Sequence, residues 1–140
     1  MRIAILLGVL FIGLTACKKR QVKKVEKVIT EGTWKITRFI DSGDDETTSY
    51  TGAALVFNSD GTLVLTHGNT YSGSWSVRND SSSDDDSSDD DLEFVITVPT
   101  PHESLSDDWH IVNYSDSKIT LEDLDDDEPN KSDYLTLEKI

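Results

Sequence analysis

Two near-copies of one short motif constrain this chain more than anything else in it. Gly32-Thr33-Trp34-Lys35-Ile36 returns downstream as Gly73-Ser74-Trp75-Ser76-Val77. Between them, Leu55-Val56-Phe57 and Thr62-Leu63-Val64-Leu65 are joined by Asn58-Ser59-Asp60-Gly61. Asp-Gly between alternating apolar residues predicts a hairpin with a two-residue primed turn, because Gly takes positive φ without strain. In each Gly-x-Trp the Gly admits a close backbone or ring, and the Trp offers a large apolar body to the inner face of a sheet. Residues 32–77 therefore read as two halves of one β meander.

The rest of the chain continues that pattern. A first strand is expected over 33–40, with Trp34, Ile36 and Ile40 on one face, followed by a polar loop over 41–46. His67-Gly68-Asn69 makes a turn, and the next strand sets Tyr71, Gly73, Trp75 and Val77 inward against Ser72, Ser74 and Ser76 outward. Residues 80–91 consist of seven Asp and five Ser, a composition that cannot bury apolar surface and predicts disorder. Leu92, Phe94, Ile96 and Val98 alternate in a fifth strand. Strands follow over 109–114, 118–121 and 134–140, the last two separated by an acidic loop over 122–128. Eight short strands with regular turns and no long helix predict an all-β fold, an eight-stranded antiparallel up-and-down meander closed into a barrel. The predicted inward set is Trp34, Ile36, Leu55, Phe57, Leu63, Leu65, Trp75, Val77, Phe94, Ile96, Trp109, Ile111, Ile119, Leu121, Leu135 and Leu137.

At the front, Met1-Arg2 and an apolar run over 3–14 have the charged start and short hydrophobic core of a secretory signal. The run is shorter than the roughly 20 residues a membrane span needs. Leu14-Thr15-Ala16-Cys17 closes it, and Cys17 is the single Cys of the 140-residue chain, so no internal disulfide can form. Charge then divides sharply. Between 18 and 30, Lys18, Lys19, Arg20, Lys23, Lys24 and Lys27 face one acid, Glu26, whereas from 31 onward six basic residues face 26 acidic ones. A basic segment is drawn to anionic lipid, and a strongly acidic domain is repelled from nucleic acid. Val22, Val25 and Val28 or Ile29 recur at helical steps. That spacing leaves open an amphipathic helix, lying on lipid or plugging one end of the domain, and an unstructured tether. The expected division is a signal peptide at 1–16, a lipidated Cys and basic tether at 17–31, and a β-barrel domain at 32–140.

Leu14-Thr15-Ala16-Cys17 resembles the lipobox of bacterial lipoproteins. From Gly32 on, the chain resembles the small lipocalin-like lipoproteins of Bacteroidetes. The matching features are the Gly-x-Trp start, Asn58-Ser59-Asp60-Gly61, Gly73-Ser74-Trp75-Ser76 and the final Leu135-Thr136-Leu137-Glu138-Lys139. The resemblance implies cleavage before Cys17, acylation there, and a lipocalin-like barrel held on the cell envelope by lipid. The barrel would take a small hydrophobic ligand or act through envelope proteins. Lipocalins proper usually set an Arg of the last strand against the first Trp, where this chain has Lys139. Lys18-Lys19-Arg20 stands where surface-exported Bacteroidetes lipoproteins carry acids, which implies the outer membrane facing the periplasm.

Chemistry is sparse. His67, His102 and His110 fall on separate turns and strand ends without metal-ligand spacing. No Gly-x-Ser-x-Gly elbow, phosphate loop or dinucleotide fingerprint occurs. The carboxylates lie in polar loops, which supply neither the burial nor the tight pairing that tunes a catalytic pair. We expect no enzymatic activity and no nucleic-acid partner. Trp34, Phe57, Trp75, Phe94 and Trp109 form either a ligand pocket or a core cluster, with a mostly filled core expected from short strands rich in large rings. If the first and last acidic loops meet at one end, Asp44, Asp45 and Glu46 approach Asp125, Asp126 and Asp127, hard oxygen ligands suited to weak Ca²⁺ binding.

Overall fold

A computed structural model describes residues 13–79 and 92–140, with side chains from residue 19 onward. Most of the apolar run at the front, the Asp/Ser run at 80–91 and the Cys17 side chain lie outside the described residues. A helix, α1 (Gly13–Thr30), leads into the strands β1 (Trp34–Asp41), β2 (Asp44–Asp45), β3 (Ala54–Phe57), β4 (Thr62–His67) and β5 (Asn69–Asn79). They continue with β6 (Leu92–Thr97), β7 (Asp107–Tyr114), β8 (Lys118–Asp123) and β9 (Asp133–Lys139). From β3 to β9 each strand pairs antiparallel with the next, and β9 returns to pair with β1. With the bridge Trp34↔Leu55 between β1 and β3, this closes an eight-stranded antiparallel up-and-down barrel of lipocalin-like form.

The β1–β3 seam is the narrowest, with that one pair. Beyond it a 3₁₀ turn (Thr47–Tyr50) covers the wall. There Phe39 donates its N–H to Thr47 Oγ1 at 2.9 Å, and Glu46 donates its N–H to the Phe39 carbonyl at 2.9 Å. The polar loop expected over 41–46 is instead a tight hairpin between β1 and β2. Ser42 and Gly43 both take positive φ, 50° and 86°, the geometry of a two-residue primed turn. The Asp60-Gly61 hairpin differs from expectation in the opposite sense. Gly61 alone is left-handed (φ 87°), its N–H reaches the Asn58 carbonyl at 3.0 Å, and Asn58 N–H reaches the Thr62 carbonyl at 2.8 Å. That is a three-residue loop with a bulge at the Gly.

The two Gly-x-Trp copies use their glycines differently. Gly32 sits at φ 83° directly after α1, where a left-handed residue ends a helix and turns the chain. Gly73 stands inside β5, and a Cβ there would collide with the Thr97 carbonyl. The second Trp explains why the turn motif accompanies it. Trp75 Nε1 donates to the Asn58 carbonyl at 2.9 Å, and Trp75 N–H donates to the Gly61 carbonyl at 2.9 Å.

All sixteen residues of the predicted inward set are buried. Two strands depart in register, and in β1 the pairing with β9 slips by one residue between Ile36 and Arg38. A bulge moves every later side chain to the opposite face. Phe39 therefore points into the core, 1% exposed, and Ile40, expected inward, is half-buried on the other face. A second slip, between Ile111 and Asn113 in β7, leaves Asn113 exposed where alternation from Trp109 and Ile111 would turn it inward.

The expectation of no long helix is corrected by α1, which spans 18 residues. It carries β-branched Val and Ile and no acid in its first turn, so its intrinsic preference is modest and packing supports it. Val25 and Ile29 are fully buried in the barrel core, and Val22 and Val28 pack against it half-buried. Gln21 and Lys24 flank Leu92, Ile111 and Tyr114 on one side of the barrel mouth. Lys27 and Thr30 flank Asp60, Gly61 and Trp75 on the other. The helix thus lies across one end of the barrel as a plug, and the folded unit begins inside the segment expected to be a tether.

Candidate functional site

The barrel interior holds side chains. Trp34, Phe57, Phe94 and Trp109 are at most 1% exposed, and Trp75 is 8% exposed. Phe57, Trp75 and Phe94 form one ring cluster with centroids 5.2–6.0 Å apart. Trp34 Nε1 donates to the Ile29 carbonyl and Trp109 Nε1 to the Leu105 carbonyl, both at 3.0 Å. Buried indoles usually find such acceptors, and here the partners are the plug helix and the loop before β7. Lys139 Nζ stands 5.1 Å from the Trp34 ring centroid, within reach of a cation–π contact. These five aromatic residues act as core.

Surface chemistry gathers at the two ends instead. At the helix end, burying Val25 and Ile29 turns Lys19, Arg20, Lys23, Lys24 and Lys27 to solvent, where all five are exposed. Among the described residues the ion pairs join Arg78 to Glu93 (2.6 Å) and Asp108 (3.0 Å), and Lys131 to Glu128 (2.6 Å). The α1 cations belong to none of them.

At the opposite end, topology brings together rings far apart in sequence. Tyr50 and His67 stack at 5.7 Å, and His102 lies 5.4 Å from each and 4.7 Å from Tyr71. Phe39 meets Tyr50 edge-on at 5.4 Å. Burial lowers the His102 pKa, and the neighbouring His67 lowers it further, so the ring favours its neutral form. Burial raises the Tyr50 pKa, with the charges of Asp41, Glu103 and Glu46 adding to the effect. A cleft of about 300 Å³ opens here between Phe39, Tyr50 and His102. Sequence spacing gave no hint of this cluster. His67 ends β4 and His102 sits in the loop after β6, and only barrel closure makes them neighbours.

The first and last acidic loops do meet, since the turn at Gly43 leaves no room for a Cβ against the Asn130 carbonyl and Ser42 N–H donates to Asp133 Oδ1 at 2.5 Å. The carboxylates that converge, however, are other ones. Among the described residues, the group of three whose oxygens lie within 4.8 Å of one another is Asp107, Asp123 and Asp133, from the adjoining ends of β7, β8 and β9. Asp45 accepts from Thr47 N–H at 3.0 Å, and Asp125 accepts from Asp127 and Glu128 N–H at 3.0 and 2.8 Å. Asp45 and Asp125 thus hold their own turns, and Asp44, Glu46, Asp126 and Asp127 lie outside the convergent trio.

Within the trio, burial pushes the Asp107 pKa up to about 6, with Asp123 and Asp133 adding repulsion and the Asp108 N–H opposing it. The folded state therefore holds a proton that the unfolded chain releases near pH 3.8. Stability falls as pH rises between those values, and the deficit is complete above about pH 6. Asp107→Asn should stabilise the protein at pH 7.5 and leave it unchanged at pH 3.5. Screening at this half-buried position limits the gain to about 1 kcal/mol, measured by urea melts at the two pH values.

No protein-family model matches the chain, and no curated protein matches it.

Proposed function

We propose that this protein is a non-enzymatic, lipid-anchored envelope module of the lipocalin-like lipoprotein kind, acting through its outer surface. One observation carries the reading. Helix α1 runs through Cys17, commits its apolar side beyond residue 19 to the barrel core and leaves outside a row of five cations that belong to no ion pair among the described residues. Over residues 19–30 its apolar side chains, Val22, Val25, Val28 and Ile29, pack on the barrel and are not left to insert into lipid. Its basic face suits an anionic head-group surface, where each cation contributes about 1 kcal/mol. With the chain cut and acylated at Cys17, the anchor sits about 12 Å along the helix from Val25, at 1.5 Å per residue. Several acyl chains make such an anchor firm, and the short distance keeps the basic face at the surface. No helix among the described residues is long and apolar enough to cross a membrane.

The interior that a carried apolar ligand would occupy holds Trp34, Phe57, Phe94 and Trp109. Surface interaction with envelope partners, on the periplasmic side of the outer membrane, therefore fits the molecule better than transport within the barrel.

Two measurements test this. Cys17→Ser should lose incorporation of labelled fatty acid, and retained label sinks the anchor. The acyl-free chain from Lys18 should bind vesicles rich in anionic lipid, with affinity falling steeply as salt rises. Replacing Lys19, Lys23, Lys24 and Lys27 with Gln should weaken that binding by about 10³-fold. Asn79 and Leu92 pair at this end, and the sequence between them carries seven Asp whose charge opposes the attraction. Replacing that run with Gly and Ser should therefore raise vesicle affinity. Salt-independent binding, or none, rejects the membrane-facing role of α1.

A further inference from the structure

The end of the barrel away from α1 carries a concave site that the membrane reading does not use. Its cleft of about 300 Å³ has ring walls in Phe39, Tyr50 and His102, and two carboxylates, Asp41 and Glu46, at its lining. No Lys or Arg lines it, and neither carboxylate belongs to an ion pair among the described residues. Their remaining partners are hydroxyls: Ser42 Oγ donates to Asp41 at 3.3 Å and Ser49 Oγ to Glu46 at 2.9 Å. Tyr50 is 6% exposed, yet its hydroxyl has contacts only at 3.4 Å, to Ser104 Oγ and His102 Nδ1. Both are long hydrogen bonds, so the hydroxyl is held loosely at the cleft.

From this arrangement we propose that the cleft binds a small organic cation with an apolar or aromatic body. Ring faces attract a cation through their quadrupole and accept an apolar body by contact. The carboxylates supply the opposite charge, and a domain with 26 acidic against six basic residues from position 31 onward steers cations toward it. An anion would enter against Asp41, Glu46 and Glu103, whose charges already raise the Tyr50 pKa. A bare hard metal ion finds its convergent oxygens elsewhere, at Asp107, Asp123 and Asp133. The proposal stands independently of the membrane anchor.

Three probes of one shape and different charge decide it: phenethylamine, phenethyl alcohol and 3-phenylpropionate. The protein is titrated with each by calorimetry and by the NMR shifts of the His102 and Tyr50 rings. Phenethylamine should bind with a Kd of about 0.1–1 mM, at least about tenfold tighter than the alcohol, with the carboxylate weakest. Glu46→Gln alone should weaken the amine about threefold, and Asp41→Asn with Glu46→Gln about tenfold, leaving the alcohol unchanged. Unaltered ring shifts in the ligand-free variants show that the cleft is intact, and if the double variant is disturbed the single one decides. Equal affinity for amine and alcohol, preference for the anion, insensitivity to the carboxylate variants, or no binding at millimolar concentration each overturns the proposal.

Discussion

Trp34→Ala is expected to destabilise the protein by about 3–5 kcal/mol, the range for removing a fully buried large ring. Trp34 is 0% exposed and works in three places at once. Its backbone pairs with Leu55 and Lys139 at the seam where the barrel closes. Its indole N–H satisfies the Ile29 carbonyl at the end of α1, and its ring lies under Lys139 Nζ. Truncation leaves a cavity and an unpartnered buried carbonyl together. Trp34→Phe separates the two, since most of the ring remains while the donor is lost, and should cost about 1–3 kcal/mol. Denaturant melts of the two variants measure both. A loss under about 1 kcal/mol for Trp34→Ala would mean that the ring is not packed as described.

Removing residues up to Glu31 is expected to be comparably damaging, although the sequence there reads equally well as a tether. A tether can be deleted without loss. A plug cannot, because Val25 and Ile29 are fully buried and each contributes roughly 1.5–3 kcal/mol. Val22 and Val28 add partial burial, and Trp34 loses its acceptor. The expected loss is about 4–6 kcal/mol, and the uncovered barrel mouth should bind an apolar fluorescent dye that the intact chain excludes. A truncated chain with an unchanged melting curve and no dye binding would show that α1 does not close the barrel. Ile29→Ala checks the same packing more gently, at about 2–5 kcal/mol.

Strand alternation was enough to place Leu63, Leu65, Phe94, Ile96, Leu135 and Leu137 inside, because side-chain direction in a strand has a period of two. The same logic missed Phe39, since a one-residue slip after Ile36 inverts the faces and nothing local announces it. The Gly-x-Trp repeats marked two strands, but they could not show that Gly32 ends a helix while Gly73, inside β5, admits the Thr97 carbonyl. Val22, Val25 and Ile29 carried helical spacing, yet whether lipid, water or the barrel covered them was open. Spacing fixes which residues share a face, not what that face meets.

The candidate site was less legible than the fold. His67 and His102 are unremarkable as isolated residues of a turn and a loop, and Asp107, Asp123 and Asp133 lie in separate stretches of an acidic chain. By itself the sequence determined the eight-stranded meander, the apolar set that fills it and the contrast between a basic front and an acidic body. These follow from local periodicity and composition, which each segment carries alone. Only the tertiary structure decided that α1 plugs one mouth, that rings and carboxylates meet at the other, and that three distant Asp share one site. Closure of β9 onto β1 sets those neighbours, and such contacts depend on register summed around the whole barrel.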